Sequence, residues 1–343
     1  MFLFISILVM WLMIFGVSFF YVGSLNEKLE STIIYQFVIA VLITSLVWLF
    51  GGYSFSFQSQ YSTIFSLDNW SIDELLNMLF QLCFCLYAVV MLIGSFIDRV
   101  KTKALLGIVI IWVLTVYCPL AYLIWNEHGF LSQLGVLDFS GGLVVHLSAG
   151  VSTYVLAYII GKTPHKHEQT QNKSLFLGML FVTLGWFGFN AGPVGELNQS
   201  AGVVLVNTLL AILFGGLVWS GASCLTTKKE DVAILLNGMI VGLVTSTAGV
   251  GYLHPFQLIL VVSFASLFTY YLTNWLGEKI QIDDVVDSFG MNGLGGLFGS
   301  LGLILFRPQI IGAELLAIGV TLTLSVTVSI ILGKIFLKKK HDS

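Results

Sequence analysis

The sequence predicts an all-α polytopic membrane protein with eleven transmembrane helices. Of its 343 residues, 57% are hydrophobic and 10% are charged, and the mean hydropathy is +0.94. A soluble domain carries about 25% charged residues, so a buried core alone does not explain this composition. Apolar runs of membrane-spanning length recur along the chain, which indicates that the protein folds within the lipid bilayer.

Each apolar run is long enough to be a span, because a helix needs about 20 apolar residues to cross the hydrocarbon core. The first run lacks the basic start of a cleaved signal peptide and is too long for one, so we interpret it as a retained span. Residues 1–337 are predicted to form the membrane domain and 338–343 a short cytoplasmic tail. The spans are predicted at 2–22, 32–52, 74–97, 104–125, 139–160, 175–195, 200–224, 232–251, 256–277, 288–306 and 312–336.

The distribution of basic residues predicts the orientation of these spans. Lysine and arginine accumulate at the cytoplasmic ends of membrane helices. Of the 15 basic residues, all except Arg307 fall on one side of the eleven-span topology. We therefore expect a plasma-membrane protein with its N-terminus outside and its C-terminus in the cytoplasm.

Two segments at the starts of spans five and ten have a similar pattern. In "DFSGGLVVHLSAG" Asp138 lies eight residues before His146, and in "DVVDSFGMNGLGG" Asp284 lies eight residues before Asn292. The segments enter the membrane from opposite sides, which predicts an inverted repeat of five plus five spans with an extra C-terminal helix. The glycines permit close helix approach, so His146 and Asn292 should meet on the axis. If the glycines serve only packing, a histidine at membrane depth is left unexplained.

Several function classes have no support in the sequence. There is no GxxxxGK(S/T) phosphate-binding motif and no nucleophile–base pair, and the four cysteines lie in apolar runs without metal-ligand spacing. The sequence therefore predicts neither an enzyme nor a cofactor, a metal or a nucleic-acid partner.

Four motifs resemble those of the ammonium transporter (Amt/Mep/Rh) family. "LDFSGGLVVHLSAG" is similar to the fifth-helix signature, "LGWFGFNAGP" to the sixth, "DDVVDSFGMNGLGG" to the tenth, and "FQLCFC" to the third-helix segment with a gating phenylalanine. The resemblance covers nearly the whole chain in order. It implies a homotrimer whose subunits each enclose a narrow, mostly hydrophobic pore for ammonium or ammonia.

The resemblance also implies roles for five residues. Phe84 and Phe189 match the stacked phenylalanines that block the outer pore. Trp125 matches the aromatic wall of the external cation site, and Asp138 an aspartate that supports this site from behind. His146 matches the first of two pore histidines. By their chemistry alone, aromatic residues in such a protein more commonly face lipid, and an aspartate in this position caps a helix or attracts a cation, capping being favoured.

Three departures from the family pattern bear on function. Asn292 occupies the position of the second pore histidine, and Pro193 that of a serine at the outer site. Because an asparagine does not titrate near neutral pH, the predicted pair cannot relay a proton, and we expect electrogenic conduction to be weak or absent. The short tail makes regulation by a P-II signalling protein doubtful.

The sequence leaves three functions open. The first is a channel or transporter for ammonium or ammonia. The second is an ammonium sensor or receptor that conducts poorly, favoured by Asn292 and Pro193 but not by the lack of a fused signalling domain. The third is a relative retuned to another small solute, such as methylamine, a larger amine or an uncharged gas.

The predicted topology is tested by accessibility. We expect a reporter fused after Ser343 to be cytoplasmic and an epitope tag within 54–73 to react with antibody applied from outside, because the basic residues lie on the opposite side of the membrane. A tag in that loop reachable only after permeabilisation would contradict the orientation.

Overall fold

The structure, a computed structural model, describes residues 1–58, 70–163, 170–280 and 282–337. In these ranges all regular secondary structure is helical, and ten helices are long and apolar enough to cross a membrane. The shorter apolar helix Val232–Ser246 stands at the position of the predicted eighth span. The predicted all-α membrane fold is confirmed. The predicted tail 338–343 and most of the loop 54–73 lie outside the described residues.

The helices are numbered from first to eleventh in chain order. They are Phe2–Ser24, Glu27–Phe57, Ile72–Ile93, Thr102–Gln133, Gly142–Ile160, Asn172–Val194, Gln199–Thr227, Val232–Ser246, Pro255–Lys279, Phe289–Phe306 and Pro308–Phe336. Three of them contain 3₁₀ turns at Glu27–Leu29, Gly192–Val194 and Pro308–Ile310. The fourth is interrupted by a loop after Trp125 and ends with the short α-helix Phe130–Gln133. Wide π turns occur at Trp48–Gly52, Val113–Tyr117, Gly142–Leu147 and Phe289–Leu294.

Local capping explains where several helices begin. Ser71 and Glu74 form a capping box at the start of the third helix, with the Ser71 N–H 2.7 Å from a Glu74 carboxylate oxygen. Asn198 and Asp231 accept backbone N–H groups at the starts of the seventh and eighth helices. Pro255 occupies the first turn of the ninth helix, where a missing N–H costs nothing.

The eighth helix is shorter than the predicted span 232–251, which is therefore wrong at its C-terminal end. After Ser246 the chain turns, and the carbonyls of Thr247 and Ala248 accept the N–H groups of Ser140 and Phe139 at 2.9 and 3.2 Å. This pairing fixes the segment that leads into the fifth helix. Because the partner is 107 residues away in sequence, the periodicity of the span did not indicate it.

Glycines allow the fifth and tenth helices to cross with their backbones in contact. A Cβ on Gly150 would lie 2.2 Å from the Gly293 nitrogen, and one on Gly296 would lie 2.4 Å from the Gly142 carbonyl oxygen. The first and sixth helices also pack against each other. Helices at equivalent positions of the two halves thus meet, as an inverted repeat requires.

The starts of the fifth and tenth helices are built alike. Each begins with a six-residue π turn, and in the first of these the His146 N–H donates to the Gly141 carbonyl five residues back, at 2.9 Å. Such wide turns inside α-helices are frequent at functional sites. The turns carry His146 and Asn292, so the repeat brings the two side chains face to face.

Candidate functional site

A cavity of about 450 Å³ opens at the end of the bundle where the fifth helix begins. We call this cavity the vestibule. Of the residues singled out from the sequence, four line it: Phe84, Trp125, Asp138 and Pro193. Pro193 lies in the short turn Gly192–Val194 that ends the sixth helix, and its ring offers no hydrogen-bonding group to a ligand.

Asp138 supports the wall of the vestibule through hydrogen bonds to the backbone and to Trp125. Its two carboxylate oxygens accept the N–H groups of Leu143 and Val144, each at 3.1 Å, which caps the fifth helix. Its backbone carbonyl accepts the Trp125 indole N–H at 2.9 Å. Burial raises the pKa of Asp138 to about 6, against the opposing effect of these backbone donors. Both oxygens are thus occupied by the protein, and the geometry is that of a cap and a support for Trp125.

Phe84 and Phe189 close the floor of the vestibule. Their ring centroids are 4.4 Å apart with an angle of 57° between the planes, so the rings are tilted rather than parallel. Trp125 meets Phe84 edge to face at 5.4 Å. Both phenylalanines are buried, so they separate the vestibule from the deeper part of the bundle.

His146 and Asn292 lie directly beyond this barrier. His146 Nδ1 is 2.9 Å from Asn292 Oδ1, while the Asn292 amide nitrogen donates to the Ser288 carbonyl at 3.2 Å. Since the amide nitrogen is used on its own helix, the carbonyl oxygen faces the imidazole, and His146 must donate from Nδ1. Nε2 is then the acceptor, and it has no hydrogen-bond partner among the described residues.

Two aromatic residues that the sequence analysis did not single out enclose His146. The Trp186 ring stacks on the imidazole at 5.4 Å with a 9° interplanar angle, and Tyr87 meets it edge to face at 5.8 Å. The signal was available, because Tyr87 follows Phe84 by three residues and Trp186 precedes Phe189 by three. Helix neighbours at this spacing share a face.

Glu314 was also missed. It is fully buried in the eleventh helix, and one carboxyl oxygen accepts the Leu137 N–H at 3.2 Å. It therefore anchors the segment that carries Asp138. An acid inside an apolar span is a recognisable signal of a specific role, although its partner was not evident from the sequence.

A buried polar network fixes the backbone next to Phe189. Asn190 accepts the Ser140 hydroxyl at 2.7 Å and donates to Thr208 and Ser246 at 3.0 and 3.2 Å. The network joins the sixth, seventh and eighth helices to the start of the fifth. Because each partner is buried, losing one would leave an unsatisfied polar group, so Phe189 is held in place.

On the side of the His146–Asn292 pair that faces away from the vestibule, which we call the inner side, the free volume is small. A second helix cap lies beyond it. A cavity of about 20 Å³ is lined by Asn292, Ser288, Tyr87 and Tyr21 among others. Asp284 accepts the N–H groups of Ser288 and Phe289 and the Ser95 hydroxyl. Burial raises the pKa of Asp284, opposed by these hydrogen bonds. Asp284 thus repeats on the inner side what Asp138 does on the outer side.

Comparison with known proteins identifies the family. The sequence model of the Ammonium Transporter Family matches residues 1–339. The chain belongs to this family. An ammonium transporter from Bacillus subtilis is 33% identical over 328 residues, covering 89% of this chain and 79% of the relative. The ammonium transporter Amt1 from Archaeoglobus fulgidus is 31% identical over 354 residues, covering 94% and 88%.

Solved structures of family members have the same fold. The Mep2 protein of Saccharomyces cerevisiae superposes with a TM-score of 0.87 at 26% identity, over 96% of this chain and 83% of that one. A sensor Amt protein gives a TM-score of 0.92 at 22% identity, over 99% and 93%. The multi-pass membrane architecture expected from the resemblance is therefore that of the ammonium transporter family.

The geometry of the vestibule predicts that Trp125 governs capture of a cation. We expect Trp125→Leu to raise the half-saturating ammonium concentration about tenfold or more, because a desolvated cation–π contact is worth roughly 2 kcal/mol. Uptake should then fall at low substrate and recover at high substrate. Trp125→Phe, which keeps an aromatic face but loses the hydrogen bond to Asp138, should have a smaller effect.

The matched control is Trp275→Leu, because Trp275 is 51% exposed and does not line the vestibule. Its concentration dependence should equal that of the native protein. An equal loss of uptake at all concentrations in Trp125→Leu would contradict a capture role for Trp125.

Proposed function

We propose that the protein captures ammonium in the vestibule and conducts it as uncharged ammonia, with weak or absent electrogenic current. The observation that carries this proposal is the hydrogen bond from His146 Nδ1 to Asn292 Oδ1, which leaves Nε2 without a hydrogen-bond partner in the part of the chain that the structure describes. This arrangement offers one acceptor to a passing N–H group. Family membership supports the substrate.

Ammonium binds in the vestibule before it enters the passage. The faces of Trp125 and Phe84 replace part of the hydration shell of a cation, and the carboxylate of Asp138 adds negative charge behind them. Pro193 supplies no hydroxyl acceptor where the family pattern has a serine, so the external affinity is weak. Passage beyond the vestibule requires the tilted rings of Phe84 and Phe189 to move apart.

Deprotonation before the barrier follows from the cost of burying charge. An ion loses most of its hydration in an apolar passage, and an isolated buried charge is far costlier than a neutral hydrogen-bonding molecule. Beyond Phe189 the lining is mostly apolar, with Ser288, Asn292 and the imidazole of His146 as uncharged polar groups. Ammonia therefore passes more readily than ammonium.

The pair His146–Asn292 cannot carry the proton that is left behind. In a pair of histidines, each imidazole can bind and release a proton in turn. The Asn292 amide neither gains nor loses one near neutral pH, and its nitrogen is already bound to the Ser288 carbonyl. The proton therefore stays outside, and net flux is electroneutral.

The proposal extends to assembly and orientation. We propose a homotrimer in the plasma membrane, each subunit with a membrane domain of residues 1–337, the N-terminus outside and the tail 338–343 in the cytoplasm. The one-sided distribution of basic residues supports the orientation, and family membership supports the trimer.

A second candidate function is an ammonium sensor that binds in the vestibule and conducts poorly. The observation that favours it is the small volume on the inner side, about 20 Å³, compared with about 450 Å³ in the vestibule. A passage closed on both sides of His146 would retain binding without flux.

Ammonia flux through purified protein in liposomes distinguishes the two functions. With an inward ammonium gradient, ammonia that enters takes up a proton and makes the lumen alkaline, which an enclosed pH dye records. We expect the native protein to accelerate this change over protein-free liposomes. His146→Ala should reduce the protein-dependent rate about five- to tenfold, as expected for one lost hydrogen bond.

The control is His128→Ala, since the His128 side chain is 65% exposed and lies in a loop. Its rate should equal that of the native protein. Folded native protein with no rate above protein-free liposomes would refute conduction and favour the sensor.

A further inference from the structure

One face of the third helix follows the whole proposed path. Phe80, Phe84, Tyr87 and Met91 recur at the spacing i, i+4, i+7 and i+11, which keeps side chains on one side of a helix. Phe80 and Phe84 line the vestibule, and Tyr87 and Met91 line the inner cavity. Between Phe84 and Tyr87 the helix advances about 4.5 Å, so Tyr87 lies one turn deeper than the barrier.

Tyr87 fills the space between the barrier and His146. Its side chain is 1% exposed. Its ring meets Trp186 at 5.3 Å, Phe189 at 5.4 Å and the His146 imidazole at 5.8 Å, each edge to face. Three rings from two other helices therefore fix its position, and it cannot turn aside without displacing one of them.

The free volume changes abruptly at this residue. The vestibule of about 450 Å³ ends at Phe84, and the inner cavity that begins at Tyr87 measures about 20 Å³. A volume of roughly 10–15 Å³ or more holds a single water molecule, and ammonia is of similar size. Methylamine, which has one methyl group more than ammonia, fits the vestibule but not the inner cavity.

We propose that the Tyr87 ring is the specificity-determining element of the passage and excludes amines larger than ammonia at the level of His146. The inference rests on the proposed conduction of ammonia. Packed interiors yield little, so a methyl group must push Tyr87 against Trp186 or Phe189. The volume of the Tyr87 ring excludes the larger amines, and the Tyr87 hydroxyl group is not needed for this exclusion.

The test compares two substrates in the same liposomes. Luminal alkalinisation is measured with an ammonium gradient and with a methylammonium gradient, and the ratio of the two protein-dependent rates is taken. This ratio does not depend on how much protein is folded. One methyl group discriminates by about 10- to 200-fold in a tight site, so Tyr87→Leu should raise the methylamine-to-ammonia ratio about tenfold or more.

Three further variants separate the volume of the Tyr87 ring from other effects of the substitution. Tyr87→Phe keeps the ring and should leave the ratio at the native value. Tyr158→Leu, at a side chain that is 69% exposed on the fifth helix, is the control for a tyrosine outside the passage and should also leave it unchanged. Tyr87→Met provides a second, unbranched replacement in case the leucine packs badly.

The outcomes decide separately about the inference and the function on which it rests. An unchanged ratio in Tyr87→Leu or Tyr87→Met, with ammonia flux retained, would overturn the inference and leave ammonia conduction intact. Loss of both fluxes in both variants would also overturn it, because Tyr87 would then be needed for passage and would not restrict it. A native protein without ammonia flux would refute the proposed function itself.

Discussion

The crossing of the fifth and tenth helices is the constraint on which the rest of the site depends. In a membrane, buried polar groups must find partners within the protein, and His146 finds one in Asn292 only because the two backbones touch. Gly150 and Gly293 make this contact possible, since a Cβ on Gly150 would lie 2.2 Å from the Gly293 nitrogen on the tenth helix. The π turns at both helix starts then aim the two side chains at each other. The hydrogen bond between His146 and Asn292 thus depends on the way the two halves of the inverted repeat meet.

The protein surrounds this polar pair with aromatic rings and supports the rings from outside. Trp186 and Tyr87 cover the imidazole, and Phe189 separates it from the vestibule. Behind the rings, polar groups hold the backbone: Asn190 is hydrogen-bonded to the seventh and eighth helices and to Ser140, and Glu314 secures the segment before the fifth helix. The inner cavity of about 20 Å³ is far smaller than the vestibule of about 450 Å³. In our proposal, capture and selection are therefore carried out by different parts of the chain.

Much of the fold could be predicted from the sequence, because each span must cover the same hydrocarbon thickness and so leaves a run of about 20 apolar residues. The meeting of His146 and Asn292 could be anticipated from the two similar segments on opposite sides of the membrane. Tyr87 and Trp186 were not singled out among aromatic residues that make up 14% of the chain. Their spacing places them on the same helix faces as Phe84 and Phe189, but it does not show that these faces meet the histidine. The early end of the eighth helix depends on hydrogen bonds to Phe139 and Ser140, which local periodicity does not contain.

In our proposal, the non-titrating Asn292 keeps protons from following ammonia through the His146–Asn292 pair. The most direct test of this proposal is the current evoked by an ammonium concentration jump on liposomes adsorbed to a solid-supported membrane, with luminal pH recorded on the same preparation. We expect luminal alkalinisation with little or no current in the native protein, and a clear increase in current in Asn292→His, whose side chain can titrate. A robust native current that neither Asn292→His nor His146→Ala alters would contradict the proposal.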